Sequence, residues 1–191
     1  MEQTTEQKII EAAHKVFAQK GYAAARNRDI AEEAGLNMAL VNYYFRSKQN
    51  LFEIVMEENL STFFSVMPPI LNNSETTLYE KIEEMVDKYI DLLLENPDLP
   101  LFVFNEIKVA ADEFKGKLEI DTLVKNSLFM KQYDEISERK DSTQFFISLL
   151  GMILFPFVSK PIFYTDDAEF AAQMKDRKEH ILQWSASLLK V

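Results

Sequence analysis

Residues 37–48, NMALVNYYFRSK, gather two amides, two phenols and two cations within one short stretch of a chain whose formal net charge is -10. The amides of Asn37 and Asn42 each carry a donor and an acceptor, the pair that the N6/N7 edge of adenine demands, and one such bidentate contact discriminates by about 1–3 kcal/mol. Lys48, and Arg28 upstream of it, can neutralise phosphates, and the hydroxyls of Tyr43 and Tyr44 can reach the same oxygens. Met38, Ala39 and Leu40 offer only apolar contact, which suits thymine methyl groups. This is the chemistry of a double-stranded DNA surface, with a preference for sites containing A·T steps.

These side chains act together only if short helices hold them in register. From Thr5 to Lys20 the apolar residues Ile9, Ile10, Ala13, Val16 and Phe17 recur at helical spacing, and Gly21 follows as a C-cap. A two-turn helix over 29–34 stops at Gly35, and a third helix runs from Met38 to Phe45, the order of a helix-turn-helix. Ile30, Ala31, Ala34, Leu36, Val41 and Phe45 are expected to face Val16, Phe17 and Tyr22, which turns Asn42 and Tyr43 outward. The start of the second helix, near Asn27, would add free backbone N–H groups for phosphate oxygens.

With four glycines, six prolines and long runs of helix formers, the 191-residue chain reads as all-α, with a head over 1–50 and a helical body over 51–191. Ser47 caps a fourth helix that Pro68-Pro69 stops, and further helices are expected over 74–94, 100–114, 118–138, 142–160 and 167–189. Residues 1–50 hold seven Lys/Arg against six Asp/Glu, whereas the remainder holds 14 against 25, so the head is the less acidic part. There is no cysteine, which fits a reducing compartment, and no basic-then-apolar leader, so the cytoplasm is expected. The most apolar run, 145–158, is interrupted by Gly151 and Pro156 and reads as too short to cross a bilayer, which takes about 20 residues.

The strings KIIEAAHKVFAQKGY, RDIAEEAG and LVNYYFRSKQNLF, in this order and spacing over roughly residues 5–55, resemble the DNA-binding domain of the TetR family of transcriptional regulators. The resemblance implies a homodimeric, ligand-responsive regulator, most often a repressor, on a pseudo-palindromic operator. Many members carry Lys, Arg, Ser or Thr where this chain has Met38 and Leu40, Tyr at Asn42, Thr at Asn27 and His at Tyr44. It further implies a pocket for a small apolar or amphipathic molecule in the body, for which Phe102, Phe104, Met130 and Tyr133 are the candidates. The last two helices are implied to pair across a two-fold axis, with Phe146, Leu150, Ile153, Phe157, Leu182, Trp184 and Leu188 as candidate contacts.

Other classes have less support. Glu11 and His14 form an ExxH pair, but a di-iron site needs a second one, and His180 has Arg177 three positions before it, so neither a metal nor a cofactor is expected. No Ser-His-Asp order or phosphate-binding glycine loop suggests an enzyme. The alternative is a helical interaction module whose head docks another protein through Met38 and Tyr43.

Overall fold

A computed structural model describes residues 3–109 and 121–189. Among the described residues the regular structure is helical throughout: α1 (Thr5–Ala24), α2 (Asn27–Glu33), α3 (Met38–Phe45), α4 (Lys48–Ser65), α5 (Met67–Leu71), α6 (Leu78–Glu95), α7 (Leu99–Val109), α8 (Leu128–Ile136), α9 (Ser142–Phe163) and α10 (Asp167–Leu189), with a π-helical turn over Asp121–Lys125. The chain divides into two compact units, Met1–Thr62 and Phe63–Val191, so the division falls near the end of α4, where the sequence placed it after residue 50. Leu51, Val55 and Met56 are buried on the stretch of α4 that belongs to the first unit.

In the first unit α1 opens with a capping box, Thr4 Oγ1 accepting from the Gln7 N–H while the Gln7 side chain accepts from Thr4 N–H. Its regular turns break at Gly21, whose φ of 69° is left-handed and is reached without strain only by glycine. α1 packs on α2 and α2 on α3. Ile9, Ala13, Val16, Phe17, Ile30, Ala31, Val41, Phe45, Leu51 and Val55 form the buried core.

The second unit is built on α6, which packs against α5, α8, α9 and α10. α6 begins at Leu78 rather than Ser74, because Thr77 and Glu80 form the capping box that sets its start. The single helix expected over 118–138 is instead interrupted before Leu128: Ser127 Oγ accepts the Met130 N–H and starts α8 afresh. The end expected for α7 at Phe114 lies outside the described residues. Tyr89 is fully buried and donates its hydroxyl to the Phe63 carbonyl at 2.8 Å.

α9 corrects the expectation that its apolar run is too short to cross a membrane. It continues through Gly151 and Pro156 to Phe163, and at 22 residues is long and apolar enough to do so by length and composition. One side is core of the second unit: Phe145, Phe146, Leu149, Ile153, Leu154 and Phe157 are buried, and the helix packs on α6, α7, α8 and α10.

Pro156 has no N–H to give the carbonyl four residues back, that of Met152, and inside a helix this lost bond is costly. Arg177 of α10 supplies the replacement, its Nε–H donating to the Met152 oxygen at 2.8 Å. Arg177→Leu should therefore cost about 1 kcal/mol, the low end of the penalty for an unsatisfied acceptor because this carbonyl is only part-buried, and most of that cost should vanish in a Pro156→Ala background that restores the backbone donor. Urea titrations of the four proteins test this; equal losses in both backgrounds would show that Arg177 does not serve this carbonyl.

Candidate nucleic-acid interface

Two features of the first unit set where α3 begins. α2 ends in a Schellman motif, the Leu36 N–H bonding the Ala31 carbonyl at 2.9 Å and the Gly35 N–H that of Glu32 at 3.2 Å, with Gly35 at φ 66°. Asn37 then caps α3, its Oδ1 accepting the Leu40 N–H at 2.9 Å. Val41 and Phe45, one turn apart, are buried, while Met38, Ala39, Asn42 and Tyr43 are exposed on the other side. Tyr43, 79% exposed, stands edge-on to Tyr44 at 5.4 Å between ring centroids. Leu40 is half-buried and Tyr44 is exposed. A helix face of this width and polarity fits a major groove.

Several predicted contacts are already committed inside the unit. Asn27 is half-buried, and its Nδ2 donates to the Asn42 Oδ1 at 2.9 Å, tying α2 to α3, while its own Oδ1 is buried without a partner. The start of α2, expected to offer free N–H groups to phosphate, has the Asp29 carboxylate there: Oδ2 accepts the Arg26 N–H at 2.9 Å. Lys20 bonds the other oxygen at 3.0 Å, and this ammonium, followed by the Arg26 N–H, holds the Asp29 pKa below the usual carboxylate range. Arg28 is exposed and pairs with Glu32 at 2.7 Å, whose hydrogen bond and charge raise the guanidinium pKa further.

Lys48 departs most from expectation. Its Nζ donates to the carbonyls of Tyr22 (2.7 Å) and Ala25 (2.9 Å) and lies 4.2 Å from the centre of the Tyr22 ring, so it ties the start of α4 to the end of α1. Two of its three N–H groups are spent there. Arg46, which sequence reasoning did not assign, is the better placed cation: it is exposed at the C-terminal end of α3, at φ 58°, and makes no ion pair among the described residues. Arg26 is likewise exposed, but its charge and its backbone N–H both act on the Asp29 carboxylate. The signal for Arg46 was its place between the aromatic pair and the Ser47 cap, which a reading by residue type alone passes over.

Arg46→Ala should thus leave the melting temperature unchanged and shallow the slope of log affinity against log salt by about 0.9 per lost phosphate contact. Lys48→Ala should instead destabilise the first unit by about 1–2 kcal/mol through the two carbonyls it strands. A stable Lys48→Ala protein with the flatter salt slope, beside an unchanged Arg46→Ala, would reverse these assignments.

The candidates in the second unit separate by burial. Phe102 and Met130 are core and Phe104 is exposed on α7, while Tyr133 lines a cavity of about 510 Å³ together with Arg139, Asp141, Phe145 and Trp184. Phe145 stacks between Tyr133 (4.5 Å) and Trp184 (5.3 Å) on one wall. Among the expected dimer contacts, Phe146, Ile153 and Phe157 are buried within their own unit, Leu150, Leu182 and Trp184 are half-buried, and Leu188 is exposed. The apolar side chains α9 leaves in solvent are instead Ile147, Phe155, Ile162 and Phe163, with exposed Gly151 in the row of the first three. α9 is apolar around its whole circumference, so sequence periodicity could not say which side faces inward.

Residues 9–55 match the family model of bacterial regulatory proteins, tetR family. The chain is 23% identical over 164 residues to the probable HTH-type transcriptional regulator YttP of Bacillus subtilis (strain 168), covering 83% of this chain and 79% of that protein. Its fold is similar to that of a TetR-like transcriptional regulator from Rhodococcus sp. RHA1, with a TM-score of 0.65 at 17% identity over 94% of this chain and 96% of the other. It is also similar to that of the transcriptional regulator FadR from Bacillus subtilis in complex with stearoyl-CoA, with a TM-score of 0.55 at 20% identity over 92% and 96% of the two chains.

Proposed function

The chain belongs to the tetR family of bacterial transcriptional regulators, and from that premise we propose that it is a cytoplasmic, ligand-responsive repressor that binds a pseudo-palindromic operator as a homodimer. The observation that carries the DNA reading is the two-sidedness of α3: Val41 and Phe45 are buried while Asn42 and Tyr43 face solvent behind a capped helix start. Two such helices, one from each copy, would enter successive major grooves about 34–36 Å apart.

The second copy is supported by the outer row of α9. Ile147, Gly151, Phe155 and Ile162 recur at intervals of four and seven residues on one side of the helix, and Phe155 and Ile162 are 62% and 79% exposed. A contiguous apolar row of this kind is a recognition surface rather than ordinary solvent-facing surface. A two-fold axis would set it against itself, and Gly151, whose missing side chain leaves open space, would let the helices approach closely. Phe155→Glu should keep the fold, because the ring is exposed in the single chain, yet sediment as a monomer and lose most of its affinity for a symmetric operator. A Phe155→Glu protein that stays dimeric would place the interface elsewhere.

For the inducer we propose a small amphipathic molecule held in the cavity beside Phe145. Its lining joins Tyr133, Phe145, Trp184 and apolar side chains to Arg139 and Gln144, with Glu138 and Asp141 also on the wall, a mixture suited to an apolar body with a hydrogen-bonding polar end. Trp184 is the chain's one tryptophan and lines this cavity, so it reports occupancy directly. Titration with a series of long-chain acyl compounds should change its fluorescence saturably and lower operator affinity by about 5- to 150-fold, the usual size of such coupling. Ligands that release DNA without moving the Trp184 signal would exclude this cavity.

A further inference from the structure

The cavity beside Phe145 is only partly enclosed. Tyr133 and Phe145 are buried on its inner wall, whereas Ile136, Gln144, Ser148, Ser187 and Leu188 also line it and are exposed. Ile136 and Leu188 are large and apolar, yet they stay 56% and 52% exposed at the rim. Sites that hold a small molecule tightly bury most of its surface, on the order of 70–90%. One copy of the chain supplies an inner wall and a rim here, and no cover among the described residues.

The position of that opening on α9 points to what covers it. Gln144, Ser148, Gly151 and Phe155 follow one another at intervals of four, three and four residues, so they share one side of the helix, and all four are exposed. Ile147, three residues after Gln144, and Ile162, seven after Phe155, extend the same side. The outer row of α9 and the mouth of the cavity are therefore one strip, with Gln144 and Ser148 belonging to both. A helix laid along Ile147 and Gly151 also reaches Gln144 and Ser148, each of which is three residues from one of the two. None of these six residues carries a charge, so two copies can meet along the strip without repulsion.

We propose that a second copy of the chain covers this cavity: in the dimer the partner's α9 crosses the mouth at Gln144 and Ser148, so that a molecule bound there touches both copies. The proposal rests on the reading of the outer row as the dimer face and of the cavity as the ligand site, and adds that the site is incomplete in one copy. Such a molecule binds the dimer more tightly than the single chain, and by linkage it tightens the dimer by the same factor for each cavity filled. Release of the operator by this ligand then leaves the dimer intact.

The chain has no cysteine and one tryptophan, so single reporters can be read at the mouth. In the wild-type chain, acrylamide should quench Trp184 less at concentrations where sedimentation shows a dimer than after dilution to the monomer. Phe155→Glu should be quenched like the diluted wild type at every concentration. Gln144→Cys on α9 and Ile136→Cys at the end of α8, both at exposed positions in the single chain, should each react more slowly with a maleimide in the dimer. A dimer with unchanged Trp184 quenching, or one that protects Gln144→Cys alone, overturns the covering while leaving the α9 interface in place. Dimers that persist in Phe155→Glu, or a wild type that is monomeric throughout, remove that interface and the covering with it. Failure of the cavity as a ligand site is read separately, from acyl compounds that release DNA and leave Trp184 fluorescence unmoved.

Discussion

A helix of eight residues does not hold together alone in water, because closing its first turn costs more than so few hydrogen bonds return. α3 is such a helix, and the arrangement around it answers that constraint. Asn37 satisfies an N–H at its start, Val41 and Phe45 anchor one side, and Asn50 Nδ2 donates to the Phe45 carbonyl at its end. The Schellman turn at Gly35 fixes the chain entering it. Several of the polar groups on and beside the exposed face of α3 are therefore partly spent on the fold, and only what they have left over is free for recognition.

The second unit obeys the opposite constraint. α9 has more apolar surface than one side can hide, so its packing is decided by where polar groups interrupt it. Pro156 frees the Met152 carbonyl toward α10, and Arg177 meets it there, which orients one side of α9 inward. The side carrying Ile147, Phe155 and Ile162 is left unpaired. The polar defect and the apolar excess belong to the same helix, and the first determines where the second faces.

The helices and their order could be read from periodicity, and the bounds of α3 and α10 coincide with those expected. Starts set by side-chain caps were less legible: Thr77 and Ser127 each begin a helix inside a stretch whose composition reads as continuously helical. At the DNA face, residue type could nominate Asn42 and Lys48 but could not say what else they bond. Asn27 lies fifteen positions from Asn42, and Tyr22 and Ala25 lie 26 and 23 from Lys48. Hydrogen bonds at that separation have no local sequence signature. The same limit applies to the contacts proposed on α9, since a helix apolar all round has no hydrophobic period from which to choose a side.

The same accounting bears on how an acidic chain can bind a polyanion. A net charge of -10 repels DNA at long range, but charges farther apart than about 8 Å are largely screened at physiological ionic strength. Only cations at the contact surface then count. Lys15, Lys20 and Arg28 are paired with Glu33, Asp29 and Glu32, Lys48 is bonded to carbonyls and the charge of Arg26 acts on Asp29, which leaves Lys8 and Arg46 as the exposed cations of the first unit without an acidic partner among the described residues. Two free cations give a shallow salt dependence, and thus a weak sequence-independent affinity, for one unit alone. Under the proposed dimer a second copy would double the contacts and make the second engagement intramolecular, so the outer row of α9 would supply the affinity that the few free cations near α3 do not.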